Sequence, residues 1–189
     1  YRKAVQSGLV KANEHSCYTL ISGLRAAAAG LPFMPVFGLK EGQLLEVCDY
    51  FKRIPDPFSG EMVTVVRAYR PDVSILHVDE ADETGNARIE GALYDDILLS
   101  RASKQLIVSA ERIVPSSKFK FSQQKAQIPG FMVSAVVHMP KGAAPGAFSP
   151  AYDLDKKRLH AFLSIQDKNE LMDWVDQSSA HSFAVGRWS

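Results

Sequence analysis

The alternation of apolar and polar positions divides the chain into stretches of helical and of extended period. Leu20, Leu24, Ala27 and Ala28 recur at i, i+4, i+7 and i+8 behind Ser16, whose hydroxyl suits a first-turn cap, and Gly30 before Leu31-Pro32 supplies the stop. A helix over 17–29 is expected, and the run Ala26-Ala27-Ala28-Ala29 gives it a small-residue face for close packing. Residues 33–37 read as a short buried strand ending at Gly38. From Gly38 to Gly60 the period is lost. Gly42, Pro55, Pro57 and Gly60 punctuate a long connector, with Asp56-Pro57-Phe58-Ser59-Gly60 as a turn. The β-branched stretch 62–67 and the apolar run 73–78 read as interior strands.

Beyond them, 79–91 is polar with Gly85-Asn86 as a turn pair, Asp95-Asp96 caps a short helix over 97–103, and 105–110 is a further strand. Strand, loop, helix and strand within about 35 residues is the size of a βαβ unit, so the strands are expected to run parallel. A basic polar loop over 116–127 leads to a strand over 131–139, and 141–151 is irregular and rich in Gly, Pro and Ala. Leu159, Phe162 and Leu163 mark one helix, and Asp167-Lys168-Asn169-Glu170 resembles a capping box opening another, so terminal helices are expected across 153–177. No repeat or linker separates two hydrophobic cores. The expectation is one domain over 1–189, of α/β class, with an open, mainly parallel sheet and flanking helices.

Composition narrows the function classes. With 189 residues and 46% hydrophobic positions the chain buries a sizeable core, which excludes disordered and fibrous classes. Its 22 Lys and Arg against 21 Asp and Glu give a formal charge of +1, so no net field draws it to nucleic acid or to a membrane, and neither is an expected partner. No apolar run nears the roughly 20 residues of a membrane span, and a soluble protein is expected. Cys17 and Cys48 do not make a disulfide framework, which makes the cytoplasm the default location. No apolar signal core follows Tyr1-Arg2-Lys3, and the start at Tyr1 suggests a fragment or a processed chain.

Several constellations invite sharper readings. Asp79-Glu80-Ala81-Asp82-Glu83 resembles a helicase signature or a carboxylate metal site, but the chain has no GxxxxGKS/T phosphate loop, and adjacent acids in an extended loop point apart. It is expected to be a solvated acidic loop, without metal. Its position is more informative, because ligands of open parallel sheets bind beyond the carboxyl ends of strands. There Gly85 and Asn86 would let backbone approach a ligand, or simply form a left-handed turn. His77 and His138, each within an apolar strand, read as core histidines with one hydrogen bond. His15 beside Ser16 and Cys17 suggests a Cys/His pair, against the rule that sequence neighbours rarely have the geometry a base needs. The GxSxG, GxGxxG and HExxH motifs are absent.

Read as ordered blocks, the chain resembles the A (alpha) chain type of family I CoA-transferases, the glutaconate CoA-transferase type. The blocks are Arg25-Ala26-Ala27-Ala28-Ala29-Gly30-Leu31-Pro32-Phe33-Met34-Pro35, Asp56-Pro57-Phe58-Ser59-Gly60-Glu61 and Arg70-Pro71-Asp72-Val73-Ser74-Ile75-Leu76-His77. Ala81-Asp82-Glu83-Thr84-Gly85-Asn86, Glu111-Arg112-Ile113-Val114 and Ile128-Pro129-Gly130-Phe131-Met132-Val133 follow, ahead of a glycine-rich Gly142 segment and Tyr152. The resemblance implies the same α/β fold, acyl-CoA and a small carboxylic acid as substrates, no permanently bound cofactor, and a homologous B (beta) subunit in a heterodimer or heterotetramer. It places the glutamate that becomes a CoA thioester on that B subunit, and a glycine-rich oxyanion segment in an N-terminal part of the A subunit that these residues do not contain. No catalytic residue is therefore assigned here. Gly38, Gly85 and Asn86 are the expected pocket walls.

Relatives on this fold include acyl-CoA decarboxylases and ring-opening hydrolases. The hydrolases carry an acid just before the helix that matches 20–29, where this chain has His15-Ser16-Cys17-Tyr18 with only Glu14 nearby. A non-enzymatic domain that keeps the fold and binds a partner is a further alternative.

Overall fold

The computed structural model describes residues 2–39, 45, 48–121, 125–179 and 183–187. The chain divides into two compact units, Tyr1–Pro71 and Asp72–Ser189, where the sequence suggests one domain. Each has its own hydrophobic cluster. The joint at Arg70-Pro71-Asp72 carries no shift in composition, so the division left no signal.

The first unit contains α1 (Arg2–Gln6), α2 (Cys17–Ala28), β1 (Phe33–Val36), β2 (Phe51–Pro55) and β3 (Met62–Arg67). Ser16 caps α2 as expected: its hydroxyl accepts the Thr19 N–H, and the Thr19 hydroxyl accepts the Ser16 N–H. The small-residue run packs through its first half, with Ala28 half-buried and Ala29 exposed. Ala26 and Ala27 are buried, and the Gly23 carbonyl accepts the Tyr69 N–H at 2.9 Å. The strands form an antiparallel sheet in the order β1-β3-β2, so 62–67 is central, while in β1 only Val36 is buried. Strand β2 lies inside the expected connector, whose Gly42 falls outside the described residues.

The second unit continues with β4 (Val73–Ala81), β5 (Ala87–Arg88), α3 (Asp96–Ala102), β6 (Gln105–Ile113), α4 (Ser117–Phe121), β7 (Ala135–His138), α5 (Lys156–Ser164), α6 (Lys168–Ser179) and β8 (Phe183–Arg187). Its sheet runs β5-β4-β6-β7-β8, with β4, β6 and β7 parallel and the two edge pairings antiparallel. This bears out the α/β reading and the β4-α3-β6 unit. The core cluster, with Leu76, Val78, Leu106, Val108, Ala110 and Val136, takes alternate residues of the parallel strands from one face. Two boundaries differ from the reading. The segment 131–139 opens with a 3-10 turn over Gly130–Met132 before the shorter β7, because Gly130 is held by a neighbouring loop. The described part of 116–127 includes the helix α4. In the terminal helices Phe162 packs on Trp174 at 5.0 Å, while Leu163 and Met172 stay exposed. Among the described residues no helix is long and apolar enough to cross a membrane.

Candidate functional site

The acidic run is not a solvated loop. Strand β4 extends through Ala81, carrying Asp79 and Glu80 into the fold, and Asp79, Glu80 and Asp82 are at most 2% exposed. Glu80 is neutralised in place by cations, while Asp79 and Asp82 are met by neutral hydrogen-bond donors. Glu80 accepts from Arg88 (2.6 Å), Arg112 (3.0 Å) and Lys118 (2.5 Å). Burial works to raise its carboxyl, and these three cations outweigh burial and hold it below the ordinary carboxylate range. Asp79 accepts the Glu90 N–H at 2.7 Å. Basic residues some 8 and 32 positions away, Arg88 and Arg112, are what offset the burial, and only the strand register reveals them.

Asp82 organises the turn that follows. One of its oxygens accepts the Thr84 and Asn86 N–H groups and the Thr84 hydroxyl, and the other accepts the Asn86 amide at 2.9 Å. Burial pushes the Asp82 carboxyl up, and these donors overcome it and hold it low. The expected wall residues sit in this turn. Gly85 is buried in the left-handed region (φ +87°), and a methyl there would lie 3.2 Å from the Gly130 backbone. The Asn86 amide donates to Asp82 and Thr84 and accepts the Gly130 N–H at 3.0 Å. The close approach that Gly85 permits is thus made by the chain's own 128–133 block. In the other unit, Gly38 (φ +83°) has open space beside it on an apolar groove of about 690 Å³ lined by Phe37, Phe58 and Met62, with Phe58 97% exposed.

A second polar centre lies on the opposite face of the sheet from the core, toward the carboxyl ends of the strands. The register sets His77 of β4 beside Ser109 of β6, and Glu111 follows one pleat further along β6. His77 makes two side-chain hydrogen bonds rather than the single one expected, through Nδ1 to Ser109 Oγ at 2.9 Å and Nε2 to Glu111 Oε1 at 2.7 Å. Its ring meets Phe148 edge-on at 4.7 Å. Glu111 accepts the Lys141 N–H on both oxygens (3.0 and 2.9 Å) and the Tyr152 hydroxyl (2.9 Å). Burial tends to raise the Glu111 carboxyl, and the Lys141, His77 and Tyr152 donors hold it below its ordinary value. Burial, with the neighbouring carboxylate, pushes the Tyr152 phenol up to about 12. Polar residues at 109 and 111, alternating with apolar 106, 108 and 110, were the available signal for this centre. His15 turns to the rings of Tyr50 and Phe51 (5.3 and 5.4 Å) and to Thr19, while Cys17 is exposed, so they do not form a Cys/His pair.

These carboxyls set the acid response. Glu80, Asp82 and Glu111 have folded values below their unfolded ones, so the stability they confer is complete above about pH 4–5 and is lost as pH falls through the folded values. Thermal melts are expected to be level between pH 7 and about 5 and to drop steeply below about 4. Glu111→Gln is expected to make that drop shallower; a level profile down to about pH 3 would show that these pairs add no stability.

The family model described as Coenzyme A transferase matches residues 1–139. The A subunit of glutaconate CoA-transferase from Acidaminococcus fermentans is 32% identical over 184 residues, covering 89% of this chain and 56% of the relative. The A subunit of 3-oxoadipate CoA-transferase from Pseudomonas knackmussii is 32% identical over 180 residues, covering 93% of this chain and 63% of the relative. A solved structure of the decarboxylase AibA/AibB superposes with a TM-score of 0.78 at 31% identity, over 93% of this chain and 64% of that one. The chain therefore spans 56% and 63% of the length of the two transferase relatives.

Proposed function

Because this chain belongs to the Coenzyme A transferase family, we propose that it is part of the A subunit of an enzyme that moves CoA between an acyl-CoA and a small carboxylic acid. The family match over 1–139 carries this reading, supported by the two transferase relatives at 32% identity. In this chemistry a glutamate on a homologous B subunit, through its carboxylate, attacks the thioester carbonyl and CoA leaves as thiolate, giving an anhydride. The thiolate then attacks the glutamyl carbonyl, releasing the first acid and leaving a glutamyl-CoA thioester. The second acid runs the two steps in reverse.

The part played by this chain is to shape and support the pocket, where donors to the developing oxyanion matter most. Gly38 is proposed as a wall, since its open, left-handed position lets a ligand reach the backbone. Gly85 and Asn86 serve through the turn they build against Gly130. The likeness to the AibA/AibB decarboxylase supports a second reading, decarboxylation of an acyl-CoA on the same fold.

The test uses the protein together with its B partner, incubated with acyl-CoA and quenched with borohydride or hydroxylamine. Mass spectrometry is expected to find one partner glutamate modified, together with exchange of CoA onto an added carboxylate. Consumption of acyl-CoA with release of carbon dioxide and no modified glutamate would favour the decarboxylase. An acyl-CoA panel left intact would overturn both readings.

A further inference from the structure

Within the first unit, the apolar groove of about 690 Å³ runs between the segments 33–39 and 56–64. On it Phe37 is 82% exposed, Phe58 97% and Met62 50%, so three large apolar side chains stand open to water around one concavity. Apolar surface gathered in this way and rimmed by polar groups marks a binding site. The volume admits a carbon chain of several members or an aromatic ring.

Charge says what the groove accepts. Its described lining holds two carboxylates, Asp56 and Glu61, and neither lysine nor arginine. Asp56 is kept ionised by its own turn: the Phe58 N–H (2.9 Å) and the Ser59 hydroxyl (3.1 Å) donate to its two oxygens and hold the carboxyl below its ordinary range. A further anion entering here would give up water beside like charge, with no cation in that lining to receive it. The walls are tied by the backbone. The Asp56 N–H donates to the Glu61 carbonyl (2.8 Å) and the Gly60 N–H to the Asp56 carbonyl (2.9 Å), closing the turn that presents Phe58. On the facing wall the Phe37 N–H donates to the Tyr18 hydroxyl at 3.3 Å, and the Thr64 hydroxyl donates to the Leu39 carbonyl.

We propose that this groove seats the acyl group of the substrate and selects one that is apolar and uncharged at its far end. The inference rests on the reading of Gly38 as a wall of the acyl-CoA pocket, where φ is +83° and nothing lies within 4 Å of an added methyl, so a ligand passes along the backbone into the groove. It distinguishes this chain from the two transferase relatives, which are named for glutaconate and 3-oxoadipate, acids with a second carboxylate at the far end.

Pentanoyl-CoA and glutaryl-CoA form the matched probes, because their acyl chains are equally long and differ in the terminal carboxylate. Calorimetry on the protein with its B partner is expected to find pentanoyl-CoA bound about tenfold more tightly or better. Glu61→Lys, which brings a cation to the rim, is expected to tighten glutaryl-CoA and narrow the preference. Phe58→Ser is expected to loosen pentanoyl-CoA more than glutaryl-CoA while melting like the parent, since Phe58 is exposed. Equal affinities, a preference for glutaryl-CoA, no binding of either, or a preference unmoved by both variants would overturn the proposal. Loss of the B partner in Phe58→Ser, with the preference unmoved, would assign the groove to a protein contact instead. Binding is read without turnover, so a pentanoyl-CoA preference with no trapped glutamate overturns the transferase reading alone, and a trapped glutamate with glutaryl-CoA preferred overturns this proposal alone.

Discussion

Glu80→Ala is expected to destabilise the Asp72–Ser189 unit by about 3–5 kcal/mol, the range seen when one member of a buried ion pair is removed. The side chain is 2% exposed and is the shared counter-ion of Arg88, Arg112 and Lys118. The three cations respond differently. Arg112 and Lys118 are 53% and 41% exposed and turn to water, whereas Arg88 is 7% exposed and loses its buried carboxylate, keeping among its partners Glu90, itself 39% exposed. The guanidinium, rather than the missing carboxylate, therefore sets the cost. Replacing both partners with apolar residues is expected to recover much of the loss, because the desolvated charge goes with them. Circular dichroism melts should place Glu80→Ala on the order of 10 °C below the parent and Glu80→Ala/Arg88→Met between them. A single variant melting with the parent would show that the cluster is held by something other than this carboxylate.

The same residue marks where the sequence stopped being legible. Apolar runs revealed the parallel strands, and the capping pattern revealed α2, because these signals are local and periodic. An acid in a polar stretch carries no local sign of whether it is solvated or buried. That depends on whether register brings cations to it, and Arg112 meets Glu80 only because β6 lies parallel to β4 in one particular alignment. His77 followed the same rule. Its two partners, Ser109 and Glu111, come from β6, so a histidine that read as core packing proved to be one member of a network reaching Lys141 and Tyr152. The strands β2 and β5 escaped for another reason: Lys52, Arg53 and Pro55 break any apolar run in β2, and the two residues of β5 are too few to establish a period. Gly38 was named only from its place after β1, and it lies in a left-handed turn beside an apolar groove.

Gly130→Ala is expected to cost on the order of 3 kcal/mol or above, a large effect for a single added methyl. An added Cβ would lie 2.1 Å from the Thr84 carbonyl oxygen and 3.2 Å from the Asn86 nitrogen, both backbone atoms that no side-chain rotation moves aside. The cost is therefore steric rather than conformational, since Gly130 does not occupy the left-handed region. Relief requires the 128–133 segment to back away from the Asp82 turn. That breaks the Gly130 N–H bond to Asn86 and draws Ile128 and Val133, at 0% and 5% exposure, out of the core. Gly30→Ala makes the contrasting control, with φ +71° but nothing within 4 Å of an added methyl, so it should cost only about 1 kcal/mol of backbone preference. Urea titration followed by far-ultraviolet dichroism would rank the two. If Gly130→Ala unfolds no earlier than Gly30→Ala, the 128–133 segment and the Asp82 turn are not in the contact described, and their pairing is not what fixes the carboxyl edge of the sheet.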